Sequence, residues 1–208
     1  MPDSHTRPRK APRQARSLAT VAVILDATAL LLVDEGYEQA TTNRIAERAG
    51  VSIGSLYQYF PNRESVVAAV AHRVKAGIAE PLWRNMATAP EPDLRREIAR
   101  SLRTSLDGHA DALPLLRILM EVTSRPAAME WPAEAFRERQ AILRHRLDNA
   151  LAGELRKNFD IEAGSFIIPR MVGSTIDAAI LMRPESFADG KLERELTTML
   201  SYYLMGGR

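Results

Sequence analysis

The sequence contains no cysteine, which excludes disulfides, thiolate-ligated zinc, iron–sulfur clusters and thiol nucleophiles. That absence suits a reducing compartment, and a cytoplasmic location is expected. Histidine is scarce: His5, His72, His109 and His145 are scattered along the chain. His109 with Asp111 and His145 with Asp148 put a carboxylate near an imidazole, and both read as solvated pairs on helix faces. No zinc-protease, nucleophile-elbow, phosphate-loop or calcium-loop spacing is present. Neither a metal nor a cofactor is expected, and the chain does not read as an enzyme. Long apolar runs are also lacking. Ala27–Val33 stops at Asp34 and Glu35, so no membrane partner is expected. The basic N-terminus is not followed by an apolar core and a small-residue cleavage site, so it does not read as a secretory signal. Strand-like alternation and internal repeats are missing as well.

What is present is a chain of 208 residues, 46% hydrophobic and 26% charged, enough for a substantial packed core. The net charge is only +2, but its distribution is uneven. Arg7, Arg9, Lys10, Arg13 and Arg16 face only Asp3 within the first sixteen residues, giving +4 there. With Pro2, Pro8 and Pro12, this stretch cannot bury apolar surface, and 1–16 is expected to be a disordered basic arm that follows a phosphate backbone or enters a minor groove.

The remainder reads as helices. Leu18, Val21, Leu25, Thr28 and Leu32 recur at helical spacing over 17–34, and Gly36 is a natural stop. Thr41-Thr42 opens a short helix that closes at Gly50, Ser52 caps another running to Tyr59, and Asn62 caps a long helix from Arg63. Two short helices joined by a glycine-containing turn make a helix-turn-helix plan over 17–62. Within 63–208, Val66, Val67, Val70, Val74 and Ile78 form a stripe, and Pro81 is expected to end or kink that helix. Helices follow over 93–107 (ended by Gly108), 112–124, 132–156, 162–182 and 191–205. Short proline-bearing loops separate several of them. The fold class is all-α: an N-terminal three-helix helix-turn-helix domain followed by a larger helical domain.

The segment from Thr41 to Phe60 carries recognisable chemistry. Thr41 and Thr42 offer hydroxyls and helix-start amides suited to a phosphate oxygen. Ile45, Ala46, Ala49, Val51, Leu56 and Phe60 are apolar where two crossing helices must lock together. Gly54 lacks a Cβ, so backbone and base edge can approach closely. Ser55 and Gln58 can hydrogen-bond to bases, and Tyr57 and Tyr59 place hydroxyls near a backbone.

Residues 16–66 closely resemble the DNA-binding domain of the TetR family of bacterial transcriptional regulators. The resemblance lies in Ile24-Leu25-Asp26-Ala27, Glu35-Gly36-Tyr37, Thr41-Thr42, Ile45-Ala46, Ala49-Gly50-Val51-Ser52, Gly54, Leu56-Tyr57 and Tyr59-Phe60. It implies an all-α homodimer in which 63–208 is a ligand-binding and dimerisation domain, often controlled by a small effector. By position, Thr42, Ser52, Tyr57, Tyr59 and Arg63 resemble the phosphate-contacting set, and Ile53, Gly54, Ser55 and Gln58 the base-facing set. Three departures stand out. Ile53 is apolar where many members are polar, which suits a thymine methyl; Pro61 replaces a common Lys; and Arg63 replaces a usual Lys.

The resemblance also implies that the last two helices pair with their dimer mates. Over 162–182, Phe166, Arg170, Ser174, Asp177 and Leu181 share one narrow sector and nearly everything else is apolar or small, so the helix is expected to sit between the core and a second body. Leu192, Leu196, Met199, Leu200 and Tyr203 line one face of the last helix. A small organic effector would meet Trp83, Met86, Leu116, Met120, Trp131, Phe136, Phe166 and Met182, with Arg170 and Asp177 as polar contacts. The expected function is a sequence-specific DNA-binding transcriptional regulator. It would be a repressor binding a palindromic double-stranded operator as a homodimer under effector control. The alternative is a helical dimer acting through protein contacts, with little specific DNA binding.

Overall fold

The structure, a computed structural model, describes residues 15–88, 91–122, 133–150 and 152–206. The basic arm to residue 14 and the whole 124–131 loop, Trp131 included, lie outside the described residues. Among the described residues the secondary structure is helical throughout: α1 (Ala15–Glu35), α2 (Thr42–Arg48), α3 (Ile53–Tyr59), α4 (Arg63–Thr88), α5 (Leu94–Asp111), α6 (Leu113–Val122), α7 (Ala133–His145), α8 (Ile161–Met182) and α9 (Lys191–Met205). They form two compact units. One takes the residues up to Lys75 and those from Pro114 to Val122; the other takes Ala76–Leu113 and the residues from 133 onward.

In the first unit, Ile24, Leu31 and Leu32 of α1 pack with Ile45, Leu56, Phe60, Val66, Val70 and Leu119 in one apolar cluster. Truncating one of the larger members to Ala would cost about 3–5 kcal/mol. The stripe read from the sequence in α1 needs correction at Leu18 alone. Val21, Leu25, Thr28 and Leu32 face inward as expected and Ile24 and Leu31 widen that face, but Leu18 at its start is 54% exposed. Thr28 is fully buried and donates its hydroxyl to the Ile24 carbonyl at 2.7 Å, which satisfies it within the helix. Gly36 and Gly50 stop α1 and α2 with φ of 80° and 66°, conformations a side chain would strain.

In the second unit, α5 and α9 pack together, as do α7 and α8. Leu94, Ile98, Leu102, Leu143, Leu147, Leu196, Leu200 and Leu204 fill its core. Two punctuation marks in the sequence do not punctuate. α4 continues through Pro81, because that residue is exposed and the carbonyl it leaves unpaired belongs to exposed Gly77. α5 continues through Gly108, whose missing Cβ would lie 3.2 Å from Ile78 Cγ2; the glycine serves helix contact. The expected helix over 132–156 is broken. α7 ends at His145 and passes into a π turn (Arg146–Ala150) and a 3₁₀ turn (Ala152–Glu154). Arg146, at the head of the π turn, is buried with Glu97, 3.3 Å away, and Glu97 also accepts from Arg100 at 2.6 Å. On α9, Met199 is exposed while Thr197 and Ser201 are buried, the Ser201 hydroxyl being satisfied by the Thr197 carbonyl at 2.6 Å.

Two described helices, Ser17–Glu35 and Ile161–Met182, are long and apolar enough by length and composition to cross a membrane, although charged residues interrupt their apolar runs. The inward face of α1 is taken by the first unit's core. On α8, Phe166, Ile167, Leu181 and Met182 are 50%, 42%, 44% and 79% exposed. This is the helix expected between the core and a second body.

Candidate nucleic-acid interface

Both short helices are capped as their sequences require. Thr41 accepts from the Arg44 amide at 3.4 Å, and Ser52 accepts from the Ser55 amide at 3.0 Å. Each cap is worth about 1 kcal/mol. The Val51 amide reaches back to the Ala46 carbonyl at 3.0 Å, tightening the turn between α2 and α3. Leu56 and Phe60 are buried and fix the inner side of α3.

With that side fixed, Ile53, Gly54, Tyr57 and Gln58 are exposed on α3, and Ser55 and Tyr59 are half-buried. Ile53 at 38% and Tyr57 at 42% are large side chains left in solvent by a helix that has apolar partners available on its other side. The Tyr57 and Thr42 hydroxyls lie 3.1 Å apart and tie α3 to α2, and the Ser52 and Ser55 hydroxyls lie 2.8 Å apart. A run of neutral hydroxyls flanks an open backbone at Gly54, where an added Cβ would meet only Ser52 Oγ at 3.8 Å. Such a surface offers donors and acceptors to phosphates and base edges without a charge of its own.

The sequence reading missed the charge pairing around this surface. Arg44 sits 2.6 Å from Glu35, and Arg48 sits 2.6 Å from Asp34. Both arginines of α2 are thus paired with the end of α1. The adjacent acids before Gly36 were the available signal, but their partners lie nine and fourteen residues further on. Arg63, in the phosphate-contacting set, stacks over the Tyr37 ring at 3.9 Å and donates to the Tyr37 carbonyl at 3.3 Å. The Tyr37 hydroxyl is raised above its ordinary pKa, chiefly by burial, with Arg63 opposing and Glu64 reinforcing the shift.

The effector set divides between the units. Leu116 is fully buried and Met120 half-buried in the first. Trp83, Met86, Phe136, Phe166, Arg170, Asp177 and Met182 belong to the second, and Trp131 is outside the described residues. Within the second unit, Met86 is buried in the core cluster and Trp83 packs at its margin. Phe136 and Phe166 meet edge to face at 5.9 Å, and the Arg170 guanidinium lies over the Phe136 ring at 4.5 Å. Met182 is largely in solvent. The histidines have plain local partners: His109 Nδ1 lies 2.6 Å from the Ser105 carbonyl, and His145 Nδ1 faces Asn149, not Asp148, at 3.0 Å. Among the described residues, no three His, Asp or Glu side chains gather as metal ligands would.

Residues 24–70 match the model of the tetR family of bacterial regulatory proteins. Over 199 residues, 94% of this chain and 97% of its own length, an HTH-type transcriptional regulator of Mycobacterium tuberculosis is 25% identical. The HTH-type transcriptional repressor KstR of Rhodococcus jostii is 42% identical over 50 residues, 24% of each chain. Among solved structures, the regulator FadR of Bacillus subtilis in complex with stearoyl-CoA superposes with a TM-score of 0.61. It covers 90% of this chain and 99% of its own at 19% identity, a likeness of fold.

Proposed function

We propose that this chain is a transcriptional regulator of the tetR family, a repressor that binds a palindromic operator as a homodimer; the match of residues 24–70 to the family and the likeness of nearly the whole chain to an HTH-type regulator support this reading. Residues 17–62 read the DNA, 63–208 dimerise and bind a small organic effector, and 1–16 add phosphate contacts. Its place of action is then the cytoplasm, where bacterial DNA lies. In this reading α3 enters the major groove with Ile53, Gly54, Ser55 and Gln58 toward the bases, while Thr42, Ser52, Tyr57, Tyr59 and Arg63 hold phosphates. The carrying observation is the solvent-facing side of α3. Ile53, Gly54, Tyr57 and Gln58 are exposed while Leu56 and Phe60 lock the opposite side.

The repressor reading is supported by a 50-residue match to a named repressor. The effector reading is supported by the fold shared with a regulator solved with stearoyl-CoA. We assign the apolar wall of such a site to Trp83, Met86 and Phe136, whose aromatic and thioether groups suit an organic molecule. A gel-shift assay on DNA upstream of the chain's own gene, with excess nonspecific competitor, tests the reading. A shift that survives competitor supports it; binding that competitor removes entirely counts against it.

A further inference from the structure

The helix-turn-helix segment is acidic. Over 17–62, Arg44 and Arg48 stand against Asp26, Asp34, Glu35, Glu38 and Glu47, a net −3. Sequence-independent binding to DNA comes almost wholly from cations that displace counterions from phosphates. Both cations of this segment belong to α2, and each is held by a carboxylate in the last turn of α1. We infer that Asp34 and Glu35 stand in for phosphate: they occupy Arg44 and Arg48, so that α2 lends little charge to DNA binding and sequence-independent affinity stays low. A genome offers about 10⁶–10⁹ competing non-specific sites, so this restraint favours the sequence that α3 reads.

A single exposed ion pair would hold an arginine only weakly. Here the contacts are shared. Arg44 lies 2.6 Å from Glu35 and donates to Gln39 Oε1 at 3.5 Å, while Arg48 lies 2.6 Å from Asp34 and 3.7 Å from Glu35. The two acids sit at the carbonyl end of a 21-residue helix with no basic residue in its last turn, where negative charge is unfavourable unless cations face it. The helix end therefore adds to their pull on α2. The arginines are also placed where their release would matter. Arg44 follows Thr42 by two residues, and the Thr42 hydroxyl lies 3.1 Å from that of Tyr57, on the face proposed to hold phosphates. Each arginine side chain is a third or more exposed, so a phosphate can reach it once the carboxylate lets go. With these charges withheld, affinity falls to the neutral hydroxyls, amide and apolar side chain of α3, the groups able to tell one base pair from another.

This inference rests on the DNA-binding reading above, and the test separates the two. The native full chain is titrated with a random-sequence DNA duplex at salt from about 50 to 200 mM, beside four variants, with circular dichroism on each. The variants are Asp34→Asn/Glu35→Gln, Arg44→Gln/Arg48→Gln, the quadruple variant combining them, and Glu38→Gln/Glu47→Gln. Releasing the arginines in Asp34→Asn/Glu35→Gln should raise affinity at least about tenfold at the low-salt end. It should also steepen the log–log slope by about 0.9 for each arginine that reaches a phosphate. Glu38 and Glu47 are exposed and outside both pairs, so their variant makes the same change in net charge and should keep a slope near native. Arg44→Gln/Arg48→Gln and the quadruple variant should keep it too, having no arginine to release. A native slope and affinity in Asp34→Asn/Glu35→Gln would overturn the inference. So would a flatter slope in Arg44→Gln/Arg48→Gln, which would place the arginines on phosphates already; that arm decides alone if the acid variant fails to fold. An equal steepening in the Glu38/Glu47 or quadruple variant would assign the effect to net charge and overturn the inference as well. No binding by the native chain or any variant would overturn the DNA-binding reading itself, and this inference with it.

Discussion

Gly54 and Gly164 lack the same atom for different reasons. At Gly54 an added Cβ meets only Ser52 Oγ at 3.8 Å, so the fold accepts a side chain that a DNA groove would not. Gly54→Val is expected to leave the circular dichroism spectrum and oligomer mass unchanged while lowering operator affinity at least about a hundredfold. Several flanking contacts would be lost together, and a single mismatched base pair already costs about 1–3 kcal/mol. Retained affinity in a folded protein would mean that another face of α3 meets the DNA. At Gly164 the added atom would lie 2.4 Å from Phe159 Cζ, and that ring is held against Tyr203 at 5.3 Å and Arg156 at 5.2 Å. Gly164→Ala should therefore lower stability by about 1–3 kcal/mol in a denaturant titration, and Phe159→Leu in that background should recover part of it. The sequence made Gly54 legible, because its neighbours form a local pattern. Gly164 was not legible, because the clash depends on a loop ring fixed by Tyr203, some forty residues later.

At the scale of elements, the caps are the most local features and were read directly. Ser52 and Asn62 accept from Ser55 and Ser65, each three residues on, at 3.0 and 2.9 Å. Ser52→Ala should cost about 1 kcal/mol of the first unit's stability, since it leaves an amide at the start of α3 without its side-chain acceptor. A denaturation midpoint equal to that of the native chain would show that the cap contributes nothing. What the sequence obscured were elements whose limits are set by neighbours. Gly108 reads as a stop until Ile78 is placed against it. The 132–156 segment reads as one helix until Arg146 is drawn to Glu97, a partner almost fifty residues away. Apolar periodicity found α8, whereas the face it leaves in solvent became visible only once its inward contacts were known.

On the scale of the whole molecule, the +2 of the full chain conceals +4 within its first sixteen residues, while both arginines of α2 are already paired. Removing residues 1–15 should weaken DNA binding and flatten its salt dependence, each lost phosphate contact lowering the log–log slope by about 0.9. Thermal stability should change little. Equal affinity and slope for the full-length and shortened chains would reduce the arm to a solvated tail. A two-fold molecule carrying one recognition helix per chain requires two symmetric half-sites, with centres about 34–36 Å apart or somewhat more. The central claim is therefore tested most directly by selecting sites from a random DNA pool with the purified full chain, then measuring footprint and stoichiometry on the selected site. The expected result is a palindromic site with two protected half-sites and two chains bound. A single unsymmetric footprint, or no sequence enriched over the starting pool, would contradict it.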